Sequence, residues 1–334
     1  MKQNFARITG LGYYVPETVV TNHDLEKHMD TSDQWIRERS GIVTRRFYTE
    51  GKDTVSLMGA RAAEVALSRA GLKPEDIDFI IFATLSPDYN FPGSGVLVQK
   101  HLPFRNIGAL DVRTQCTGFV YGISIADQFI RTGMYKNILV IGAEIQTNIF
   151  EMSNRNRDFA VLFGDGAAAA VVQHTHDEHR RILSTHLHSD GHYAEDLMLE
   201  HPGSNLKDRM SSKIVEEGKH LPFMKGNAVF KHAVTRFPEV IMEALDANQL
   251  SIKDLNLLVP HQANLRISEH VQKTLGLSDE QVYNNIQKYG NTTAASIPLA
   301  FAEAWEEGRV KEGDLICLAA FGSGFTWASA LLRW

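Results

Sequence analysis

Apolar positions along the chain fall into two similar series. Residues 65–83, VALSRAGLKPEDIDFIIFA, run from the end of an apolar-periodic segment through a turn and an acidic stretch into a continuous apolar run. Residues 243–261, EALDANQLSIKDLNLLVPH, repeat that order, with Leu67 matching Leu245 and Asp76 matching Asp254 at an offset of 178. Helical periodicity giving way to a short apolar run predicts helix, turn and buried strand. A second pair follows. CTGFVYGISIADQFIRTG from Cys116 to Gly133 and NTTAASIPLAFAEAWEEG from Asn291 to Gly308 are helical patterns of equal length. Each ends on a glycine suited to a left-handed stop. Each then leads to an apolar strand, NILVIGAE (137–144) and DLICLAAFGSG (314–324). In this register Asn291 stands in the second copy where Cys116 stands in the first, and two helix N-termini face one central cavity.

Matching elements at a near-constant offset imply a duplicated unit. Alternating strand and helix predict an α/β fold with largely parallel pairing. The expected halves are residues 1–172, carrying Cys116, and 173–334, carrying His261 and Asn291. The His-rich stretch QHTHDEHRR (173–181) lies near the join and reads as a connection, with no metal site. Two polar excursions interrupt the pattern: residues 28–53, with Trp35, Arg37, Arg39, Arg45 and Arg46, and residues 186–226, rich in Gly, His, Pro and Ser. Long excursions within compact α/β domains are usually functional covers.

The net charge of −6 argues against a broad nucleic-acid footprint, which needs a basic excess. Two cysteines, Cys116 and Cys317, make no disulfide framework. The opening MKQNFARITGLGYYVPE lacks the apolar core of a secretory signal, and no apolar run reaches membrane-spanning length. The expectation is a cytoplasmic protein with reduced thiols and no membrane partner.

Cys116 sits in DVRTQCTGF, between a short strand and a helix. A thiol at a helix N-terminus gains stabilisation as thiolate from unpaired N–H groups and the helix dipole, and a thiolate attacks thioester carbonyls. A buried apolar cysteine is the other reading, and Cys317 within LICLAAF is that case. His261 follows the strand LNLLVP, at the strand exit where α/β sites gather. Asn264, three residues on, is placed to orient His261 or hold a water. Asn291 is a helix N-cap or a shared-site residue. In the glycine-rich turn FGSGF (321–325), the N–H of Ser323 is a candidate oxyanion donor if it faces Cys116.

These residues, with TSDQWI (31–36), SGI (40–42), FGDGA (163–167), GNAVFKHAV (226–234), PHQANLRI (260–267), YGNTTAASIP (289–298) and FGSGFTW (321–327), resemble β-ketoacyl-acyl-carrier-protein synthase III, a family of the thiolase superfamily. The resemblance covers essentially the whole chain. It implies a five-layered αβαβα thiolase fold, a homodimer and no cofactor. It implies that Cys116 takes an acyl group from acyl-CoA. Malonyl-acyl carrier protein then loses CO2, and the carbanion attacks the acyl-cysteine. His261 and Asn291 would bind the enolate oxygen, and Phe321 would shield the departing carboxylate. Trp35 and Arg157 would flank the CoA adenine, and Arg39 its phosphates. Gly226, Asn227 and Phe230 would line the pantetheine tunnel. Arg266, Lys231 and Lys273 are candidates for carrier-protein contact, and Phe91 for closing the partner's acyl pocket. Two features depart from the pattern. Gln115 and Thr117 flank the cysteine where small residues are common, and the 186–226 excursion is long enough to cover the acyl pocket. The alternatives are a related condensing enzyme of secondary metabolism and a non-catalytic partner subunit. A simple thiolase is disfavoured because its second catalytic cysteine has no counterpart beyond core Cys317.

Overall fold

A computed structural model describes residues 3–334. Two mixed sheets stack face to face with helices outside and between them. The first sheet contains β1 (Phe5–Tyr14), β2 (Phe79–Ala83), β3 (Gly108–Val112), β4 (Asn137–Glu144) and β5 (Gly166–Thr175), in the order β1-β5-β4-β2-β3. The second contains β6 (Ile182–Ser189), β7 (Leu257–Pro260), β8 (Leu315–Gly322) and β9 (Thr326–Arg333), in the order β6-β9-β8-β7. A parallel bridge from Leu258 to Val282 lies beyond β7, in the place that β3 takes beside β2. The two strand orders therefore correspond position by position.

Pairing is less parallel than the sequence pattern predicts. Only β2–β3, β2–β4 and β7–β8 are parallel; β4–β5, β1–β5, β8–β9 and β6–β9 are antiparallel. The reason is local. A parallel neighbour needs a crossover helix, and β8 turns directly into β9 through Ser323–Phe325. Gly324 takes φ 139° in that turn, a conformation open to glycine and few others.

The helices complete five layers. α1 (Asp33–Ser40) lies in the first polar excursion, near a small hairpin of Thr18–Thr21 with Thr44–Phe47. α2 (Val55–Ala70) covers the outer face of the first sheet through Met58, Ala62, Ala63 and Ala66, against Ile80, Phe82, Leu139 and Ile141. α3 (Gly118–Arg131) and α6 (Ser296–Glu306) lie between the sheets in one apolar cluster with Ile81, Val140, Val259 and Leu318. α4 (Gly226–Ala247) and α5 (Leu265–Leu275) cover the second sheet's outer face through Phe237, Ile241, Ile267 and Val271. β2 and β8 are apolar along their length because helices cover both faces, so their sequences run FIIFA and LICLAAF without alternation. No helix is long and apolar enough to cross a membrane among the described residues.

Candidate active site

The site forms where the inner helices begin. Each is preceded by one tight helical turn, Gln115–Thr117 before α3 and Thr293–Ala295 before α6. Gln115 and Thr293 open these turns with φ 46° and 50°. This pair sets the true register between the copies: they are 178 apart, as Asp76 and Asp254 are. The structural counterpart of Cys116 is thus Ala294, and the expected equivalence with Asn291 is three residues out. The equal helix patterns misled because both helices start in register, at Gly118 and Ser296, but α6 runs 11 residues where α3 runs 14, so the glycines that end them fall three residues out.

The strand ends cross over to the opposite turns. β8 ends at Gly322, where an added Cβ would lie 2.6 Å from Cys116 Cβ and 3.0 Å from Sγ. β4 passes the other turn at Gly142, where a Cβ would lie 2.4 Å from the Ala294 carbonyl oxygen. Only glycine allows either approach.

Cys116 is 9% exposed, and its Sγ lies among the backbone N–H groups of Cys116 and Ser323. Burial, reinforced by the charge of Glu144, pushes its thiol up to about 12. The two N–H groups pull the other way without offsetting burial. This corrects the expectation of a thiolate stabilised by the helix N-terminus: the resting group is a thiol. Thr117 links this turn to the second sheet, with its hydroxyl 2.9 Å from that of Thr326 and donating to the Thr114 carbonyl at 2.7 Å. An alanine there makes neither bond. Cys317 is fully buried in β8, as expected.

His261 leaves β7 with its N–H donating to the Ala319 carbonyl of β8 at 2.8 Å. The strand that approaches Cys116 therefore also fixes the histidine backbone. Its Nδ1 lies 2.6 Å from Ser296 Oγ at the first position of α6. The Gln262 N–H points to that hydroxyl oxygen at 3.4 Å, so the hydroxyl proton is free to face Nδ1. That assignment leaves the proton of the neutral ring on Nε2, which is buried with no partner in the protein. Burial pushes His261 down to about 3, so the ring is neutral near pH 7.

Asn291 is held through its backbone: its N–H donates to Leu162 at 2.8 Å and its carbonyl accepts from Gly164 at 3.1 Å. Its Oδ1 accepts the Thr293 N–H at 2.9 Å, which leaves the amide NH2 as the end available to a ligand. Asn264 does not orient His261. It caps α5, accepting from the Arg266 N–H at 3.0 Å, and donates to the Arg39 carbonyl at 3.0 Å. Both ends of its amide are engaged there, and Ser296 takes the part expected of it. Ser296 lies inside the conspicuous stretch YGNTTAASIP, yet nothing in its spacing predicts a contact with a residue 35 positions away.

The remaining candidates fall into three groups. Trp35, half-buried on α1, has two guanidinium groups over its ring, Arg39 at 5.5 Å and Arg157 at 5.0 Å from the ring centre. Gly226 and Asn227 are exposed at the start of α4, and a Cβ on Gly226 would meet open space. Phe230 follows on α4, with the Arg266 guanidinium 5.8 Å from its ring centre. Phe321 is buried against Phe325, their rings 4.9 Å apart. Lys231, Arg266 and Lys273 are exposed on α4 and α5. Phe91 stands apart at 87% exposure, in a loop that leads to Ser94 and Gly95, whose N–H groups donate to Asp111 of the edge strand β3. The 186–226 excursion meets the glycine-rich turn, where the Leu197 carbonyl accepts from Ser323 Oγ at 2.5 Å and Asp190 exchanges backbone hydrogen bonds with Phe325 at 2.7 and 2.8 Å.

Residues 110–191 match the family described as 3-oxoacyl-[acyl-carrier-protein] synthase III, and residues 245–334 match its C-terminal counterpart. The chain is 45% identical over 329 residues to the β-ketoacyl-[acyl-carrier-protein] synthase III of Caldanaerobacter subterraneus, covering 98% of both chains. The chain belongs to the β-ketoacyl-acyl-carrier-protein synthase III family. The Campylobacter jejuni enzyme of the same name is 45% identical over 330 residues, covering 98% of this chain and 97% of its own. The crystal structure of 3-oxoacyl-[acyl-carrier-protein] synthase III from Aquifex aeolicus superposes with a TM-score of 0.90 at 42% identity, covering 98% of this chain and 100% of that one. Like other synthase III chains, this one is an acyltransferase of the condensing type with the thiolase-like fold. The matched segments hold the Cys116 turn in one case and His261, Asn291, Ser296 and the glycine-rich turn in the other.

Proposed function

We propose that this chain starts fatty-acid synthesis by decarboxylative condensation of an acyl-CoA primer with malonyl-acyl carrier protein. Cys116 Sγ attacks the thioester carbonyl of acyl-CoA. The carbon–sulfur bond to CoA breaks, and the thiol proton leaves with CoA. The N–H groups of Cys116 and Ser323 receive the oxyanion, a contribution of about 3 kcal/mol per donor in comparable sites. In the second half-reaction the malonyl carbon–carboxylate bond breaks and CO2 departs. The electron pair forms an enolate whose oxygen accepts from His261 Nε2 and the Asn291 amide. The enolate carbon then attacks the acyl carbonyl, the carbon–Sγ bond breaks, 3-oxoacyl-carrier protein leaves, and the Cys116 sulfur takes a proton from water to restore the thiol. The observation that carries this reading is the unpartnered, buried Nε2 of a neutral His261. A neutral ring donates a hydrogen bond to the enolate without first losing charge.

Around this centre, the cluster of Arg39, Trp35 and Arg157 is our adenine and phosphate site, since an aromatic ring with cationic planes beside it suits a base and its phosphates. Gly226, Asn227 and Phe230 line the path of the pantetheine arm, Phe321 shields the leaving carboxylate, and Arg266, Lys231 and Lys273 receive the acidic carrier protein. The homodimer forms through the edge strand β3 and the loop carrying Phe91. Its support is the exposure of Tyr89, Phe91, Val96 and Leu110, in or beside that loop and strand. Two duplicated halves also fit the matching strand orders. The join then lies in residues 176–181, because β5 runs unbroken through 172 to Thr175. Both cysteines are free thiols, in keeping with a cytoplasmic enzyme.

The test is intact-mass measurement after incubation with a panel of straight and branched acyl-CoAs, followed by malonyl-carrier protein. One acyl adduct that Cys116→Ala abolishes, and that malonyl-carrier protein discharges as 3-oxoacyl product, is expected. An adduct that survives Cys116→Ala removes the assignment.

A further inference from the structure

The crossing of the strand ends leaves one buried charge without a part in the reaction. Glu144, the last residue of β4, is fully buried and is the counterpart of Gly322 at the usual offset of 178. Where Gly322 makes room for Cys116, Glu144 fills the equivalent space beside Ala294. Its carboxylate accepts from Ser86 Oγ at 2.5 Å, Thr84 Oγ1 at 3.1 Å, and the N–H groups of Leu85 and Ser86 at 3.2 Å each. The Ala294 N–H also donates to it. Every partner is a donor, so the arrangement suits the ionised form. Among the described residues, no Lys, Arg or His forms an ion pair with it.

These contacts join three parts of the site. Thr84–Ser86 begins the loop that carries Phe91. The Thr293–Ala295 turn leads into Ser296 and so to His261. α3, which follows the Cys116 turn, starts against β2 just before that loop and against the second turn, since a Cβ on Gly118 would lie 3.0 Å from Ala83 Cβ and 3.6 Å from Ala294 Cβ. We propose that Glu144 is a positioning residue that fixes the two site turns against each other, and that its unpaired charge makes a free Cys116 thiolate costly. The nucleophile then spends its time as thiol or as acyl-thioester.

The titratable groups on the packed elements are few. Cys116 lies on its turn, and Asp165 lies just before β5. Asp165 accepts from the N–H groups of Gln146 and Thr147 and from the Thr147 hydroxyl. Asp88 lies on the loop, bonded to Ser56 and Ser94, and His261 stands behind Ser296. Burial pushes Glu144 up to about 7, which places its titration within an accessible range.

The proposal rests on the reading of Cys116 as nucleophile, and the experiment separates the two. Full-length enzyme is treated with iodoacetamide across a pH series, and Cys116 modification is followed by peptide mass, with and without prior acyl-CoA. Lack of protection by acyl-CoA would refute the nucleophile reading. In wild type the rate is expected to rise less steeply with pH near neutrality, where Glu144 ionises. In Glu144→Gln that inflection is expected to vanish and the rate at pH 8 to rise about threefold or more, because a nearby negative charge is lost. Condensation by the same variant is expected to fall about tenfold as the turns lose their shared acceptor. Thr84→Val with Ser86→Ala removes donors but keeps the carboxylate, so it protonates more readily; the alkylation rate is expected to rise in the same direction. Wild-type alkylation profiles in the folded variants would overturn the proposal.

Discussion

Ser296 Oγ lies 2.6 Å from His261 Nδ1, joining the first residue of α6 to the residue that leaves β7. The hydroxyl selects the tautomer and fixes the ring plane, and it touches no reacting atom in the proposed mechanism. Ser296→Ala is expected to accept an acyl group at the wild-type rate and to lose about tenfold or more in condensation, the scale of a small misplacement at a catalytic group. Single-turnover acylation and steady-state condensation, measured on the same sample, separate the two effects. Equal loss in both would remove the orienting role.

Gly322→Ala tests the close approach at the nucleophile. The new methyl would lie 2.6 Å from Cys116 Cβ, so either β8 or the nucleophile turn must shift to admit it. Acyl-enzyme formation is expected to fall about a hundredfold. Acylation near the wild-type rate would show that the turn moves freely.

Trp35→Ala removes the flat surface beside Arg39 and Arg157. The expected result is a KM for acyl-CoA raised about tenfold, the scale of one lost stacking contact, with kcat for condensation little changed. A fall in kcat at unchanged KM would place Trp35 elsewhere in the reaction.

His261 makes a signed contribution to stability. Its folded value of about 3 lies below the ordinary 6.5, so between these limits the unfolded chain takes a proton that the folded chain refuses. Stability from this group is therefore full above the ordinary value and is lost as pH falls through the window, by up to about 1.4 kcal/mol per pH unit. His261→Ala abolishes that loss. Its Tm relative to wild type is expected to improve steadily as pH is lowered from about 7.5 to about 5. A constant difference would mean that the ring takes up its proton in the folded state.

The layers were legible because apolar runs such as FIIFA and LICLAAF leave little choice but strands covered on both faces. The residues proposed as catalytic stood out because Cys116, His261 and Asn291 lie at the ends of those patterns. The register between the copies was harder. Helical periodicity begins before either helix does, so it cannot distinguish Asn291 from Ala294; two residues with positive φ do so at once. Ser296 and Glu144 were invisible for another reason. Their importance comes from partners 35 and about 60 residues away, across a fold that brings strand ends to the opposite copy's turn.

That crossing has a consequence for how the enzyme can change. On the proposed roles, the first copy supplies the thiol that carries the primer, and the second supplies the groups that handle the carbanion. The counterpart of the thiol has become Ala294, and the counterpart of its open flank is sealed by Glu144. On the proposed duplication, one surface has become a reaction vessel and its twin a keel. The thiol and the enolate donors lie in separate stretches of sequence, yet Ser323 reaches the thiol and Glu144 reaches the Ala294 turn, so a change on one side is felt on the other.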